Sequence, residues 1–243
     1  IIGWGNKRNT AKAKRLAANQ KIPYFSVEDG FIRSIGLGAN GAPAFSFVID
    51  DLGIYYDATQ PSKLETILQE YDFENDEKLM ARADQAIKLI KRFKISKYNL
   101  ADTKPKADIR DNNRKKILVI AQTDGDMSLE CGYGNTFSTN ALIADARKEN
   151  PGAEIYVKIH PDVINGKKKS DIHPDNIPSF CKVITRDVNP LSLLERIDKV
   201  YTKTSQMGFE ALLLGKECVC FGLPFYAGWG LTTDRLECTR RNR

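Results

Sequence analysis

Short apolar runs alternate with helical segments through the second half of the chain, and this alternation constrains the fold more than any other feature. Strands are predicted over 116–121, 153–159, 181–185, 199–202 and 217–221. The helices between them are predicted over 136–148, 190–197 and 205–214. Strands separated by helices pair in parallel through right-handed crossovers. This half is therefore predicted to be a parallel sheet.

The first half carries a shorter version of the same pattern. Strands are predicted over 22–27, 44–49 and 54–56, and helices over 10–19, 61–70 and 75–93. The polar segment between the halves lacks apolar periodicity, which is typical of a linker. We therefore expect an α/β protein with two parallel-sheet halves, over 1–100 and 115–243, joined by a linker over 101–114.

Composition excludes several classes of function. The formal net charge of +6 suits nucleic acid, anionic lipid or an acidic small substrate equally well. The basic residues are dispersed and no RNA- or DNA-binding motif occurs, so we expect no nucleic-acid partner. Neither a P-loop nor a GxGxxG motif is present, which argues against NTPases and dehydrogenases. With only two histidines, a multi-histidine zinc site is nearly excluded.

Cysteine usage and hydropathy bear on the compartment. The chain has five cysteines and no CxxC pair, which predicts free thiols in a reducing compartment. No signal peptide is visible at the start of the sequence. There is no run of 18 apolar residues, so any membrane contact is expected to be peripheral. The lysine run over 167–169 is interpreted as a solvated surface, with anionic lipid as the minor alternative.

Polar clusters follow four of the predicted strands. They are Glu28-Asp29-Gly30, the run over 122–126, His160-Pro161-Asp162 and the run over 203–206. Ligands of open α/β sheets bind beyond the carboxyl ends of the strands. Four clusters at equivalent strand ends therefore predict a ligand site at this edge.

The residues at the start of the last predicted helix have two interpretations. Thr204, Ser205 and Gln206 are consistent with an ordinary helix N-cap, or with a phosphate held by the first-turn amides and hydroxyls. Glu210 lies one turn further along. Its carboxylate is expected either to face solvent or to bind a ribose hydroxyl pair.

His160 is a lone histidine, and such residues are more often structural than catalytic. Pro161 argues for a fixed local turn. Lys158 lies two residues before His160 and shares its face of the strand, so the two together suit a phosphate. The second copy of the motif, over 173–175, follows no strand and is interpreted as a surface loop.

Two pairs of carboxylates stand beside glycines. Glu28 and Asp29 precede Gly30, and Asp124 and Asp126 flank a glycine. They are either turn residues or a catalytic pair, one a nucleophile or electrostatic stabiliser and the other a general acid or base. Spacing alone does not decide between these. The glycine- and aromatic-rich loop over 222–234 is interpreted as a structural corner in preference to a wall of the binding pocket.

A set of seven motifs resembles one protein family across nearly the whole chain. The motifs are, in order, VEDGFIRSIGLG, DDLGIYYDATQPS, SKYNL, QTDGDMS, KIHPDV, TSQMGFEALLLGK and GLPFYAGWGLTTD. The chain thereby resembles the capsular polysaccharide β-Kdo transferases (the KpsC-like enzymes), which build a lipid linker from the acidic sugar Kdo. The motifs are closest to the first-module type, which forms the β-(2→4) linkage.

The resemblance implies a GT-B-like architecture, with two Rossmann-type halves facing a cleft. It also implies a retaining transfer of β-Kdo that needs no metal and no cofactor. CMP-β-Kdo would be the donor and a Kdo-terminated glycolipid of the lysophosphatidylglycerol type the acceptor. A lipid acceptor implies a cytoplasmic protein at the inner face of the bacterial inner membrane, with possible contact to the capsule export machinery. The sequence is shorter at both ends than the family pattern.

The same resemblance implies roles for individual residues. Asp126 is the nucleophile of a double displacement, and Glu28, with Asp29, activates the acceptor or assists the leaving group. The residues expected to bind CMP are Lys158, His160, Pro161, Thr204, Ser205, Gln206 and Glu210, and those expected near the acceptor are Arg33 and Asp124. Two alternatives stay open, namely a sialyltransferase-like enzyme for another CMP-sugar and a CMP-binding module without activity.

Overall fold

A computed structural model describes residues 1–6, 8–36, 38, 41–101, 109 and 111–241. The strands in these residues are β1 (Ile2–Trp4), β2 (Phe25–Asp29), β3 (Phe47–Asp50), β4 (Lys116–Ile120), β5 (Glu154–Lys158), β6 (Cys181–Ile184), β7 (Lys199–Thr202), β8 (Glu217–Cys220) and β9 (Thr233–Asp234). The α-helices are α1 (Arg8–Gln20), α2 (Lys63–Glu70), α3 (Glu77–Phe93), α4 (Met127–Cys131), α5 (Thr139–Glu149), α6 (Pro161–Ile164), α7 (Pro190–Leu194) and α8 (Gln206–Leu213). Short 3₁₀ helices span Gly134–Thr136 and Pro174–Asn176.

The second half is a six-stranded parallel sheet in the order β6-β5-β4-β7-β8-β9. The central strand β4 is buried at four of its five positions, which explains its continuous apolar sequence. Ile117 and Val119 pack with Leu142 of α5, whereas Leu118 packs on the other face with Leu194 of α7. The predicted α/β fold with a parallel sheet is confirmed.

The first half is smaller and is not a parallel sheet. Strand β1 pairs in parallel with β2, but β3 runs antiparallel to β2, with Glu28 opposite Val48. The Asp50 carboxylate accepts hydrogen bonds from the amides of Leu52 and Gly53, both 2.8 Å, and this turn reverses the chain after β3. The prediction of a second fully parallel half is therefore wrong in this respect.

The strand predicted over 54–56 is also wrong. These residues form a turn, in which Ile54 and Tyr56 are buried against Cys131 of the second half. The apolar run Ile-Tyr-Tyr reflects this packing between the halves rather than pairing within a sheet. A short apolar run cannot by itself distinguish the two.

Direct contacts join the two halves. The Gln206 side-chain amide donates to the Phe31 carbonyl at 2.7 Å, and the Asn189 amide donates to the Lys94 carbonyl at 2.8 Å. The Phe31 ring lies 4.8 Å from that of Phe225. Most of the predicted linker over 101–114 lies outside the described residues. Of its described part, Ile109 is buried in the core of the second half.

Candidate active site

A cavity of about 530 Å³ lies at the carboxyl ends of β4, β5 and β7, between the two halves. Eight of the residues singled out from the sequence line it, namely Asp126, Lys158, His160, Pro161, Thr204, Ser205, Gln206 and Glu210. The described residues that line it do not include Glu28, Asp29, Arg33 or Asp124. Two-thirds of the candidate residues thus line one cavity. This cavity lies at the sheet edge where the polar clusters predict a ligand site.

Asp126 is fixed at the cavity by its local structure. It caps α4, with Oδ1 accepting a hydrogen bond from the Ser128 amide at 2.9 Å. The sequence predicts a loop over 122–135, so this five-residue helix was missed. Both acids are exposed, but Asp124, two residues earlier, does not line the cavity, and its amide donates to the Lys169 carbonyl at 2.8 Å. The two acids of the loop therefore have different surroundings, which spacing did not reveal.

Hydrogen bonds connect three polar residues that line the cavity, Gln122, Ser128 and Thr204. The Gln122 side-chain oxygen accepts from the Thr204 amide at 2.8 Å, and the Gln122 side-chain nitrogen donates to the Thr204 hydroxyl at 3.0 Å. The Ser128 hydroxyl lies 2.9 Å from the same Thr204 hydroxyl. Thr204 therefore links the end of β7 to the end of β4 and to the first turn of α4. The sequence signal for this network is the motif QTDGDMS, whose Gln and Ser received no role.

His160 and Lys158 lie on one side of the cavity. The His160 Nδ1 accepts a hydrogen bond from the Asp162 amide at 3.1 Å, which places the ring proton of the neutral form on Nε2. Burial lowers the pKa of His160; Asp162 opposes this shift, whereas the charges of Lys168 and Lys158 reinforce it. His160 therefore presents a neutral N–H donor near neutral pH.

Lys158 is buried, and its ammonium group donates to the Arg186 carbonyl at 2.9 Å. Burial lowers the pKa of this lysine, and Asp187 opposes the shift. A partly desolvated ammonium beside an imidazole N–H favours an anionic ligand.

The first turn of α8 has a structural role as well as lining the cavity. Ser205 caps the helix through its hydroxyl, which accepts from the Met207 amide at 3.3 Å. Its carbonyl accepts from the Tyr226 hydroxyl at 2.5 Å. A side chain at Gly208 would collide with that hydroxyl, since a Cβ there would lie 2.1 Å from it. The N-cap interpretation is confirmed, and Ser205, Gln206 and Met207 of this turn line the cavity.

Glu210 is buried rather than exposed to solvent. Its Oε1 accepts from the Ser96 hydroxyl at 2.5 Å, and the Lys97 amide also bonds to the carboxylate. Burial raises the pKa of Glu210 to about 7, and the hydrogen bonds from Ser96 and Lys97 reduce the shift. The carboxylate therefore holds the segment after α3 against α8, and a ribose would compete with Ser96 for it.

We expect Glu210 to make the free energy of unfolding fall as pH rises from about 4.5 to about 7, by roughly 3 kcal/mol. In this range the unfolded carboxyl has lost its proton while the folded one keeps it, so ionisation favours the unfolded state. Glu210→Gln retains a hydrogen-bond acceptor and removes the titration. Urea unfolding at pH 5 and pH 8 tests this; equal pH dependence in the two proteins would contradict it.

Glu28 and Asp29 lie beside the cavity rather than in its lining. Asp29 forms an ion pair with Arg33, 2.6 Å from Oδ1 to Nε, and Arg33 also donates to the Ala42 carbonyl. Asp29 and Arg33 therefore stabilise the loop after β2. The Glu28 carboxylate has no such cation partner among the described residues, and it contributes to raising the pKa of Tyr55 and Tyr56.

Aromatic residues that the sequence analysis left without a role complete the cavity. Tyr55 and Tyr98 line it, and both come from motifs used for the family resemblance. Burial raises the pKa of Tyr55, with further contributions from the charges of Glu28, Asp126 and Asp29. In the loop over 222–234, Phe225 lines the cavity while Tyr226 is buried in the core. This loop is thus both a structural corner and a wall of the pocket.

Neither a metal-binding cluster nor a membrane-spanning helix is found among the described residues. In that part of the chain, no group of three or more His, Cys, Asp or Glu side chains is arranged to bind a metal ion. No helix of the described residues combines the length and the apolar character needed to cross a bilayer. All five cysteines are free thiols, as predicted.

Two curated relatives match at least 97% of this chain. LipA of Neisseria meningitidis serogroup B, a capsule polysaccharide modification protein, is 44% identical over 240 residues, which are 97% of this chain and 34% of LipA. LpsZ of Rhizobium meliloti, a lipopolysaccharide-processing protein, is 39% identical over 243 residues, covering 100% of this chain and 55% of LpsZ. The chain therefore spans about a third of LipA and about half of LpsZ.

Two solved structures match the fold. Thermosulfurimonas dismutans KpsC, described as a beta Kdo 2,4 transferase, superposes with a TM-score of 0.91 at 47% identity, covering 100% of this chain and 75% of the other. The corresponding beta Kdo 2,7 transferase gives a TM-score of 0.72 at 36% identity, with coverages of 99% and 71%.

The sequence resemblance is confirmed at the level of the family. A family model described as "Capsule polysaccharide biosynthesis protein" matches residues 1–243. The seven motifs, the parallel sheet and the superposition on KpsC all agree with that match. The chain belongs to the family of capsule polysaccharide biosynthesis proteins.

Proposed function

We propose that this chain is a glycosyltransferase that moves β-Kdo from CMP-β-Kdo to a Kdo-terminated glycolipid during capsule synthesis. The observation that carries the proposal is the superposition of the whole chain on a structure described as a beta Kdo 2,4 transferase. The same comparison with the 2,7 transferase is weaker in both TM-score and identity. This difference supports the β-(2→4) linkage.

The donor is proposed from the chemistry of the cavity. CMP-β-Kdo carries a phosphodiester and a sugar carboxylate, both anionic. Lys158, the Nε2–H of His160 and the first turn of α8 supply a cation and neutral donors on the same cavity wall. Such donors stabilise an anion best where solvent is displaced. Neither a metal nor a cofactor has a role in this proposal.

The proposed reaction proceeds with retention through two displacements. The Asp126 carboxylate attacks the anomeric carbon, the bond from that carbon to the phosphate oxygen breaks, and CMP leaves. The acceptor hydroxyl then attacks the same carbon from the opposite face and releases Asp126, while its proton passes to Glu28. Asp29 is assigned to positioning, because Arg33 already neutralises it. The oxocarbenium-like character of both transition states favours a nearby carboxylate.

The acceptor is proposed to be a lipid-linked Kdo chain of the lysophosphatidylglycerol type. This implies peripheral contact with the inner face of the bacterial inner membrane, and contact with capsule export machinery. The net charge of +6 is compatible with an anionic lipid surface.

Transfer is tested by incubating the chain with fresh CMP-β-Kdo and a synthetic β-Kdo acceptor. Intact-protein mass spectrometry detects a Kdo adduct, and NMR of the product identifies the anomer and the linkage. A β-(2→4) product supports the proposal. Turnover with a CMP-activated sialic acid and none with CMP-β-Kdo would favour a different CMP-sugar transferase, and CMP binding without any product would favour an inactive module.

We expect His160→Ala to weaken CMP binding by about tenfold, because it removes one hydrogen-bond donor to the anion. The second His-Pro-Asp motif offers a matched control. His173 caps its own short helix in the same manner, with Nδ1 accepting from the Asp175 amide, but it is exposed and does not line the cavity. Isothermal titration with CMP should therefore give His173→Ala the affinity of the unmodified protein. If His160→Ala and His173→Ala change the affinity for CMP equally, the assignment of His160 to CMP binding is wrong.

A further inference from the structure

Helix α3 is amphipathic, and its apolar face is only partly packed, with Ile87 and Ile90 half-buried. None of its 17 residues, all of which the structure describes, is buried. Leu89 and Met80 are 44% and 45% exposed, and Phe93 is 59% exposed. A helix with an apolar face normally buries that face against a partner. The apolar side of α3 therefore requires an occupant outside the described structure.

The width of the apolar face indicates what kind of occupant fits. At 100° per residue, Leu79 and Ile90 mark its centre, and Met80 and Leu89 lie near its two edges. Arg82 is the one charged residue within this arc. The face therefore extends over about half of the helix circumference. A strict coiled-coil seam uses only two positions in seven, which is much narrower. A broad, shallow surface therefore covers an apolar face of this width better than a single helix would.

The opposite face is cationic. Lys78, Lys88, Lys91 and Arg92 lie on it, against Glu77 and Asp84. An amphipathic helix with Lys and Arg on the polar face and large apolar residues on the other is typical of helices that lie in the plane of a membrane surface. The charge is complementary to anionic phospholipid headgroups.

The C-terminal end of α3 is anchored at the cavity. The Lys94 carbonyl accepts from Asn189 at 2.8 Å, and its ammonium group forms an ion pair with Glu195. Two residues on, Ser96 is held by Glu210. Residues 96–98 then line the cavity wall. A surface bound by α3 would therefore lie next to the rim of the proposed active site.

We propose that α3 is a membrane-docking helix that binds an anionic phospholipid surface and presents the cavity to a lipid-linked acceptor. Presentation of the cavity to a lipid-linked acceptor rests on the proposed function, whereas docking on the lipid surface does not. When the apolar face lies in the headgroup region, Lys78 and Lys91, which border that face, lie near the anionic headgroups. The helix then positions residues 96–98 at the membrane.

Flotation of the 243-residue chain with lipid vesicles tests the docking. The probes are neutral phosphatidylcholine vesicles and vesicles that contain about one-third phosphatidylglycerol. We expect binding to the anionic vesicles, weakened at least about tenfold by Leu89→Asp with Phe93→Asp and by Lys88→Glu with Lys91→Glu. These side chains bury little surface, so circular dichroism and thermal unfolding should stay unchanged.

Two control variants separate α3 from other surfaces. Lys12→Glu with Arg15→Glu makes the same charge change on the exposed side of α1, and Ile49→Asp alters the exposed apolar face of the three-stranded sheet. Both controls should bind as the unmodified protein does. The proposal is overturned if the α3 variants bind normally or if the controls lose binding equally. It is also overturned if light scattering without vesicles shows self-association that the α3 variants abolish.

Transfer assays distinguish this proposal from the proposed function. With a water-soluble Kdo acceptor, the α3 variants should match the unmodified protein, whereas with a vesicle-embedded acceptor they should be at least about tenfold slower. Loss of transfer to both acceptors would contradict a docking role. If the unmodified protein binds vesicles but transfers Kdo to neither acceptor, the docking proposal stands and the proposed function is rejected.

Discussion

Asp126→Asn should reduce Kdo transfer at least about 1,000-fold while CMP binds within a few-fold of its normal affinity. The amide cannot form the glycosyl ester, so the Kdo adduct should also disappear from the intact-protein mass spectrum. Asn is chosen over Ala because Asp126 caps α4, and Asn is an equally good N-cap residue. The loss can therefore be assigned to chemistry rather than to unfolding of that helix.

The neighbouring acid supplies the matched control. Asp124→Asn removes one negative charge two residues away, in the same loop, from a side chain that does not line the cavity. It should keep transfer within a few-fold. If Asp124→Asn is inactive and Asp126→Asn is active, the nucleophile is Asp124. If both variants transfer normally, a covalent intermediate on this loop is rejected.

Glu65→Ala should lower the free energy of unfolding by about 3–5 kcal/mol, the usual effect of breaking a buried ion pair. Glu65 accepts from Arg240 at 2.8 Å and from Arg241 at 2.9 Å, and both Glu65 and Arg241 are buried. Burial acts to raise the pKa of Glu65, but its bonds to Arg240 and Arg241 outweigh this and lower it. The variant would leave the Arg241 guanidinium buried without its carboxylate.

The expected fall in melting temperature is roughly 6–20 °C for a chain of this size. Differential scanning calorimetry measures it. Glu70→Ala is the control, since it removes an exposed glutamate from the same helix and should change stability by at most about 0.5 kcal/mol. The pH-dependent contribution of Glu65 should begin to fall as the pH drops below about 4.5 and should be lost as the pH passes through the folded-state pKa, which is depressed. Equal melting temperatures for the two variants would show that the ion pairs contribute nothing.

The larger sheet and the position of the site could be predicted from the sequence because both depend on local patterns. A strand buried on both faces is apolar throughout, as β4 is, and a polar residue directly after such a strand lies at the carboxyl edge of the sheet. That geometry brings Asp126, His160 and Ser205 to one cavity. No knowledge of long-range packing was needed to predict their proximity.

The features that the sequence did not reveal depend on contacts between distant residues. Whether Ile54 and Tyr56 form a strand depends on Cys131, which lies far along the chain. Whether Glu210 faces solvent depends on Ser96, which comes from the other half. The short helix α4 was hidden because five residues beside a glycine-rich turn carry too little periodicity to be recognised. Secondary-structure propensity and hydrophobic periodicity depend on residues that are neighbours in sequence. They therefore cannot reveal contacts between residues that are far apart along the chain.

The contacts between the halves have a consequence for cooperativity. The first half has a three-stranded sheet with one exposed apolar face, and its buried residues Ile54 and Tyr56 pack on the second half. Glu65 is held by Arg240 and Arg241, which follow the large sheet in the sequence. A three-stranded sheet needs its apolar face packed to be stable on its own, and here one such face is exposed. Folding of the first half is thus conditional on the second, and the chain is one cooperative unit rather than two hinged bodies.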